Sequence, residues 1–383
     1  MAAAIPHGTD AVLERVLIIG TGLIGTSIAL ALRERGIEVL LADRDPEAAR
    51  VAADMGAGVP APATPDEPAD LAVLAVPPPA VAAALLDAQK SGAAQVYTDV
   101  ASVKGLPLAQ AAELGCDLAV FAGGHPLGGR ERSGPLAARP GLFLGRPWVL
   151  CPTAESTEAV VASAAALALA CGANPVTMDA VEHDRAVALI SHAPHVVASA
   201  MAARFTAGPE RALALAGQGA RDVTRIAGGD PRLWHGILAA NAQPVADVID
   251  AVARDLAAAA AGLRAAAGGV AAGGAEPGGV GAARDTLDLL ARGAAGHGRI
   301  PGKHGGPATR HAVVPVLAAD RPGELALIVQ AAGVAGINIE DVLIEHSQGR
   351  SVGVVELAVA PESARRLIEE LRARGWSVPV APA

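Results

Sequence analysis

Residues 16–25 hold four consecutive apolar side chains followed by glycines at positions 20, 22 and 25, and a helical pattern runs from Leu23 to Glu34. A strand, a G-x-G-x-x-G turn and a helix in that order constrain this chain more than any other feature: they form the first crossing of a sheet that binds a dinucleotide. Gly20 permits the tight turn, Gly22 lets the backbone approach a pyrophosphate, and Gly25 lets the helix pack close to the strand. Thr21, Leu23 and Ile24 complete the turn, where N–H groups and the positive end of the helix dipole face the phosphates. Asp43 ends the second strand, 18 residues after Gly25, where a carboxylate would hydrogen-bond both ribose hydroxyls. A 2′-phosphate there would meet like charge, so NAD is expected rather than NADP, although Arg44 beside it tempers that preference. Val76, at the end of a later strand, joins the same edge. A glycine-rich turn alone would also fit a sheet that binds something else; strand, helix and Asp43 in register favour the dinucleotide.

From residue 15 to about 179 short apolar runs alternate with helical patterns. Strands are expected at 16–19, 38–42, 71–76, 96–100, 118–121, 148–151 and 176–178, with helices at 23–34, 46–55, 79–89 and 156–170. Unbroken apolar strands between helices predict a mainly parallel sheet covered on both faces, an α/β Rossmann-type doubly wound sheet at 14–179. After Asp179 the strand signals stop, and 180–204, 210–217, 230–241 and 244–267 all carry helical patterns, an all-α domain at 180–267. Residues 268–309 are rich in Gly and Ala and read as a linker with one short helical piece at 283–291. The remainder, 310–383, has the order strand 312–318, helix 324–335, strands 339–347 and 353–358, helix 361–374, strand 377–380. This βαββαβ order is that of a ferredoxin-like domain.

Composition narrows the class of partner. Hydrophobic residues make up 52% of the chain but aromatics only 2%, so the core must be built from Val, Leu, Ile and Ala. A net charge of −9 argues against nucleic-acid binding, which needs a basic surface. Cys116, Cys151 and Cys171 have no metal-ligand spacing and read as small buried hydrophobes in a reducing compartment; no metal is expected. The first ten residues have no apolar run of signal-peptide type, and the uncharged stretch 159–178 is interrupted by Gly172, Asn174 and Pro175. A cytoplasmic protein without a membrane or nucleic-acid partner is expected.

Three segments carry candidate chemistry. Ser102 and Lys104 leave the C-terminal end of the fourth strand, and His125 leaves the next one, at the edge where such sheets bind ligands. In the helical domain Asp184, Ser191 and His195 are seven and eleven residues apart and fall on one helix face, following His183. Each has a plain alternative: a turn histidine at His125, a helix cap at Ser102, and a structural polar pair at Asp184 and His195. Their joint placement near a cofactor favours catalysis.

These segments resemble the prephenate/arogenate dehydrogenase family. The matching pieces are the glycine turn, D-V-x-S-V-K at 99–104, G-x-H-P around His125, His183 with Asp184, the stretch Ser191 to His195, Arg221 to Arg225, Asp230 with Pro231, and Trp234. The likeness covers about 15–264 in one order. It departs at Leu127, Gly128 and Ala193, where members more often carry other apolar or small residues. The resemblance implies NAD-dependent oxidative decarboxylation of prephenate or arogenate in tyrosine biosynthesis. His125 would be the base, since histidine titrates near neutrality. Ser102 would hydrogen-bond the reacting hydroxyl or orient His125. Arg225 would hold a substrate carboxylate, His195 would add a second polar contact, and Asp184 would position or balance Arg225. Trp234 would be a packing wall, and Lys104 could reach either cofactor or substrate. A homodimer through the helical domain is expected.

Asp320, Pro322 and Gly323 before one helix, and Gly336, Ile337 and Asn338 after it, resemble an ACT domain. That likeness implies a regulatory module that pairs with another copy and binds an aromatic amino-acid effector; the alternative is an oligomerisation module without a ligand. Two rival functions remain. One is another ACT-containing NAD-dependent hydroxy-acid dehydrogenase, disfavoured by the all-helical middle domain. The other is an NAD- and amino-acid-sensing regulator, which has no need of Ser102 and His125 at adjacent strand ends.

Overall fold

The computed structural model of the chain describes residues 12–62, 67–128, 134–271, 280–301, 311–346 and 351–379. The chain divides into two units, Met1–Arg254 and Asp255–Ala383. The first begins β1 (Arg15–Ile19), α1 (Leu23–Glu34), β2 (Glu38–Ala42), α2 (Pro46–Asp54), β3 (Val59–Pro60), β4 (Ala69–Leu74) and α3 (Val81–Lys90). It continues β5 (Ala94–Asp99), α4 (Gly105–Glu113), β6 (Phe121–Pro126), β7 (Pro147–Pro152), α5 (Glu158–Ala170) and β8 (Asn174–Thr177). These strands form one sheet in the order β3-β2-β1-β4-β5-β6-β7-β8. Every neighbouring pair is parallel except β6 with β7. Strand order reverses between β1 and β4, so their C-terminal ends flank the crevice in which such sheets bind ligands.

The two-residue period of a strand sends alternate side chains to opposite faces. Val16, Ile18, Leu71 and Val73 pack with Ile28 and Leu32 of α1 and Leu167 of α5. Leu17, Ala72 and Leu74 pack on the other face with Val81 and Leu85 of α3. With both faces buried, the doubly wound sheet expected from the apolar runs is the one observed. Two strands differ: the short edge strand β3 was not expected, and β6, expected at 118–121 with His125 on the loop beyond, runs Phe121–Pro126, so that His125 lies on the strand opposite Val149 of β7.

A helical region comes next: α6 (Ala180–Val187), α7 (Ala193–Phe205), α8 (Glu210–Leu213), α9 (Gln218–Thr224), α10 (Pro231–Ala240) and α11 (Ala242–Ala271), which continues into the second unit. Asp179 caps α6, accepting from the Val181 and Glu182 N–H groups. Between α6 and α7, Ala188–His192 forms one π turn. A π turn holds an extra residue and rotates the helix beyond it by roughly 100° relative to an unbroken one. The single face expected for Asp184, Ser191 and His195 is therefore lost. Asp184, His192 and His195 are buried, and Ser191 is exposed. The stretch Ala180–Phe205 has the length and hydropathy of a membrane span. Four of its polar side chains, His183, Asp184, His192 and His195, are buried against the protein.

The second unit holds α12 (Val280–His297), β9 (Ala312–Ala319), α13 (Glu324–Val334), β10 (Ile339–His346), β11 (Val352–Val359) and α14 (Ala364–Ala373). The expected linker helix at 283–291 is twice as long, because alanine makes this stretch a good helix former despite its glycines. Arg292 ties α12 to α11 through two hydrogen bonds to Asp255, at 2.9 and 3.2 Å. The three strands pair antiparallel in the order β10-β11-β9. Val314, Val316, Leu357 and Val359 face Ile328 of α13 and Leu367 and Leu371 of α14. The last strand, expected at 377–380, is reduced to one bridge between Leu317 and Ser377; Val380 lies outside the described residues.

Candidate active site

The glycine turn follows its expected logic position by position. Gly20 adopts φ +103°, and a Cβ there would lie 2.3 Å from the Ala75 carbonyl oxygen and 3.2 Å from Val76. A Cβ on Gly25 would lie 1.9 Å from the Gly20 carbonyl oxygen, whereas one on Gly22 meets nothing within 4 Å. Gly22 is thus open where a pyrophosphate must approach, and no side chain caps α1 there. Leu23 and Ile24 are half-buried in the first turn of that helix. Asp43 accepts from the Thr21 N–H at 2.6 Å and hydroxyl at 2.9 Å, and from the Asp45 N–H at 2.9 Å. Burial raises its pKa, but these hydrogen bonds, with a smaller contribution from exposed Arg44, hold it below the usual carboxylate range. An ionised carboxylate at the end of β2 fits ribose hydroxyls and repels a 2′-phosphate. These residues fit NAD.

At the ends of β5 and β6 the structure assembles a chain of three side chains. His125 Nδ1 lies 2.8 Å from His183 Nε2, and His183 Nδ1 lies 2.8 Å from Asp184 Oδ1. Asp184 also accepts the Lys104 N–H at Oδ1 and the Gly105 N–H at Oδ2, both at 2.8 Å. Burial pushes the Asp184 pKa up, but hydrogen bonds from His183, Gly105 and Lys104 outweigh it and hold the group ionised. An ionised carboxylate only accepts, which determines the protons along the chain. With a neutral His183 ring, Nδ1 carries its proton and Nε2 accepts, and His125 then carries its own proton on Nδ1. That leaves Nε2 of His125 as a lone pair. Burial first, then electrostatic interaction with His183, Lys104 and His192, push the His125 pKa well below the histidine range, so the ring is neutral.

This arrangement revises several expectations. Asp184 holds His183 and the first turn of α4, so the cap that was the plain alternative for Ser102 comes from Asp184 instead. The group that orients His125 is His183, which the sequence left without a role although it sits beside Asp184. Ser102 is half-buried in the loop between β5 and α4. Lys104, expected to reach cofactor or substrate, is buried and pairs with Asp99; its Nζ also donates to the Gly124 carbonyl at 2.6 Å. Asn241, missed entirely, donates to the Asp184 carbonyl at 2.8 Å and contacts His192 Nδ1 at 3.1 Å.

On the helical side, His195 of α7 stacks on Trp234 of α10 with ring centroids 3.7 Å apart and planes 13° apart. Among the described residues its buried Nδ1 has no hydrogen-bond partner, and burial lowers its pKa. Gly229 lies against both rings: a Cβ there would be 2.5 Å from Trp234 Nε1 and 3.2 Å from His195 Cε1. Arg225 begins the short 3-10 helix Arg225–Gly228, which packs on α7, and is exposed. His125, His183 and Asp184 are therefore joined directly, while His195 and Arg225 belong to the neighbouring helical layer.

A doubly wound sheet with an NAD-fitting turn and a neutral histidine at the adjoining strand ends defines an NAD-dependent oxidoreductase. The description "Prephenate dehydrogenase, nucleotide-binding domain" matches residues 28–177, and "Prephenate dehydrogenase, dimerization domain" matches 179–268. The first match begins beyond the glycine turn, so that turn stands on its geometry. The probable prephenate dehydrogenase NovF of Streptomyces niveus is 42% identical over 369 residues, 95% of this chain and 99% of that one. Cyclohexadienyl dehydrogenase of Zymomonas mobilis is 32% identical over 262 residues, 64% of this chain and 87% of that one. The crystal structure of prephenate dehydrogenase from A. aeolicus, in complex with hydroxyphenyl propionate and NAD+, superposes with a TM-score of 0.61 at 25% identity, covering 75% of this chain and 98% of that one. The chain belongs to the prephenate dehydrogenase family.

Proposed function

We propose that this enzyme oxidises the ring carbinol of prephenate, or of arogenate with its amino-bearing side chain, with loss of CO2 to give an aromatic product. The observation that carries this reading is the Asp184–His183–His125 chain, which leaves one unprotonated ring nitrogen beside the cofactor edge. Bound NAD supplies the hydride acceptor. His125 takes the proton of the 4-hydroxyl at Nε2, and the developing positive charge is stabilised through His183 by ionised Asp184. Ser102, on the loop beside it, hydrogen-bonds the same hydroxyl. Arg225 holds a substrate carboxylate through its planar fork, and the unpartnered Nδ1 of His195 takes a second polar group, with Trp234 fixing its ring. Loss of CO2 restores aromaticity and drives the reaction forward.

The test is to incubate the purified chain with NAD and either substrate and monitor NADH absorbance. His125→Ala is expected to abolish turnover with NAD binding intact; near-normal turnover overturns the assignment. Arg225→Ala is expected to raise KM by the loss of charge-assisted hydrogen bonds worth about 1.5–3 kcal/mol.

Regulation and assembly extend this reading. The β-α-β-β-α unit of residues 311–379 supports an ACT-type module that binds an aromatic amino acid and feeds back on tyrosine formation. Calorimetry of the intact protein with tyrosine checks it, and no heat of binding counts against it. The apolar groove of Leu189, Pro194, Val197, Val223, Ile226 and Val252 supports burial against a second copy, a cytoplasmic homodimer. Light scattering that gives a monomer mass counts against that.

A further inference from the structure

Asp99 and Lys104 form an ion pair in which each side chain is only 1% exposed, and neither has a part in the reaction above. Taking two charges out of water is costly, so such a pair is poor evidence of stability and needs another reason to be kept. What it holds is the backbone of one residue, Gly124, on both its N–H and its carbonyl. The Gly124 N–H donates to Asp99 Oδ1 at 3.0 Å, and Lys104 Nζ donates to the Gly124 carbonyl at 2.6 Å. Gly124 immediately precedes His125. Pairing of β5 with β6 stops at Thr98 opposite Ala122. Beyond that point the pair takes over the bonding of β6 on its β5 side.

The glycines of this segment make the approach possible. A Cβ on Gly123 would lie 3.1 Å from Lys104 Cδ, and one on Gly124 would lie 2.7 Å from the Asp99 carbonyl oxygen and 3.1 Å from Trp148 Nε1. The Lys104 backbone N–H meanwhile donates to Asp184, which holds His183 and through it the His125 ring. Backbone and ring of His125 are thus both anchored to the same turn before α4.

We propose that the Asp99–Lys104 pair is a positioning device for His125, clamping the Gly124 backbone on both sides so that the ring meets substrate at a fixed place and in a fixed field. It acts through Gly124 and touches neither substrate nor cofactor. The proposal rests on His125 being the base. The charged and titratable groups acting on that ring are His183 from α6, His192 from the π turn and Lys104 from the β5–α4 connection, with Asp184 behind His183 and Asp99 paired to Lys104. From β7 the opposing residue is Val149, with Cys151 opposite Gly123.

Lys104→Met removes the cation and the bond to Gly124. The expected result is a fall in kcat of about tenfold to a hundredfold, the range for a lost charge-assisted hydrogen bond and a misplaced base. KM for NAD and for prephenate should stay within about twofold, because uniform binding is untouched. Histidine labelled with 13C in the full chain, with the His125 signal assigned by its loss in His125→Asn, should titrate at higher pH in Lys104→Met, since a nearby cation has gone. That shift is read without turnover. It therefore stands apart from the base assignment, which falls only if His125→Ala keeps its activity. The double variant Asp99→Asn/Lys104→Met carries no stranded carboxylate and should fold while keeping the low kcat. The proposal is overturned if the double variant regains the parental kcat, if the His125 titration does not move, or if Lys104→Met raises KM for NAD while leaving kcat unchanged.

Discussion

Replacing His183 with Ala breaks the chain behind His125 at its middle. In the parent enzyme the His125 Nδ1–H points at His183 Nε2 at 2.8 Å, and His183 is backed by Asp184 at 2.8 Å. In the ground state, with His125 neutral, this bond is worth about 0.5–1.5 kcal/mol net. As His125 takes the substrate proton the donor becomes cationic, and the bond rises to the charge-assisted range of about 1.5–3 kcal/mol. An interaction stronger in the transition state than before it acts on kcat. His183→Ala is therefore expected to lower kcat by about tenfold to a hundredfold with KM little changed. Folding should survive, because Asp184 keeps the Lys104 and Gly105 N–H groups and with them the start of α4. The pH dependence has a definite sign. Burial, then His183, hold the His125 pKa below the ordinary histidine value. A base works only when unprotonated, so the parent loses activity only as pH falls through that lowered value. With His183 gone and water admitted, both causes relax and the acidic limb of kcat/KM moves to higher pH. Profiles of kcat and kcat/KM from NADH absorbance measure both effects. A variant with kcat within twofold of the parent, or a limb moving to lower pH, would refute the tautomer assignment.

Two glycines of the cofactor turn separate folding from binding. Gly20→Ala puts a Cβ 2.3 Å from the Ala75 carbonyl at φ +103°, and overpacking with backbone strain should cost about 2–5 kcal/mol in thermal melts. Gly22→Ala meets nothing within 4 Å, so Tm should hold while calorimetry shows weaker NAD binding; unchanged affinity would mean that no pyrophosphate approaches this residue closely. Burial pushes the Cys151 and Cys171 thiols to about 12 and raises Cys116. All three are buried, so a disulfide reagent at pH 8 should label them only after denaturation, and rapid labelling of the native enzyme would contradict the packing.

What could be read in the sequence was local in origin. The turn at Gly20, Gly22 and Gly25 needs only ten residues to declare itself, and Asp43 comes with it because a strand and a helix have standard lengths. The apolar strands were legible for the same reason: two covered faces demand unbroken runs. β6 was not, since Gly123 and Gly124 have no preference for strand and read as a turn. They lie in a strand because β7 bonds one side and the Asp99–Lys104 pair bonds the other. The Gly/Ala-rich stretch that became α12 failed in the opposite direction: glycine suggested a linker where alanine made a helix.

The active site shows the same division more sharply. His125 and Asp184 are each identifiable as chemistry-bearing residues, and the structure shows Asp184 bonded to His183 and to the start of α4. Nothing in spacing reveals that bond, because Lys104 and Asp184 are 80 residues apart. The π turn compounds the difficulty: it moves Ser191 outward and His192 inward, and no periodic template contains an i→i+5 step. Such turns lose regular helix bonding, so they persist where something else is gained. Here the register shift turns His192 inward to meet Asn241 while His195, further along, is buried against Trp234. Burial holds the His192 pKa at about 4 despite Asp184 nearby. His192 therefore stays neutral at physiological pH, which leaves His125 to gain positive charge without a competing imidazolium beside it. A regular helix through residues 188–192 would carry the same sequence and lose that arrangement, which is why the residues were visible beforehand and their cooperation was not.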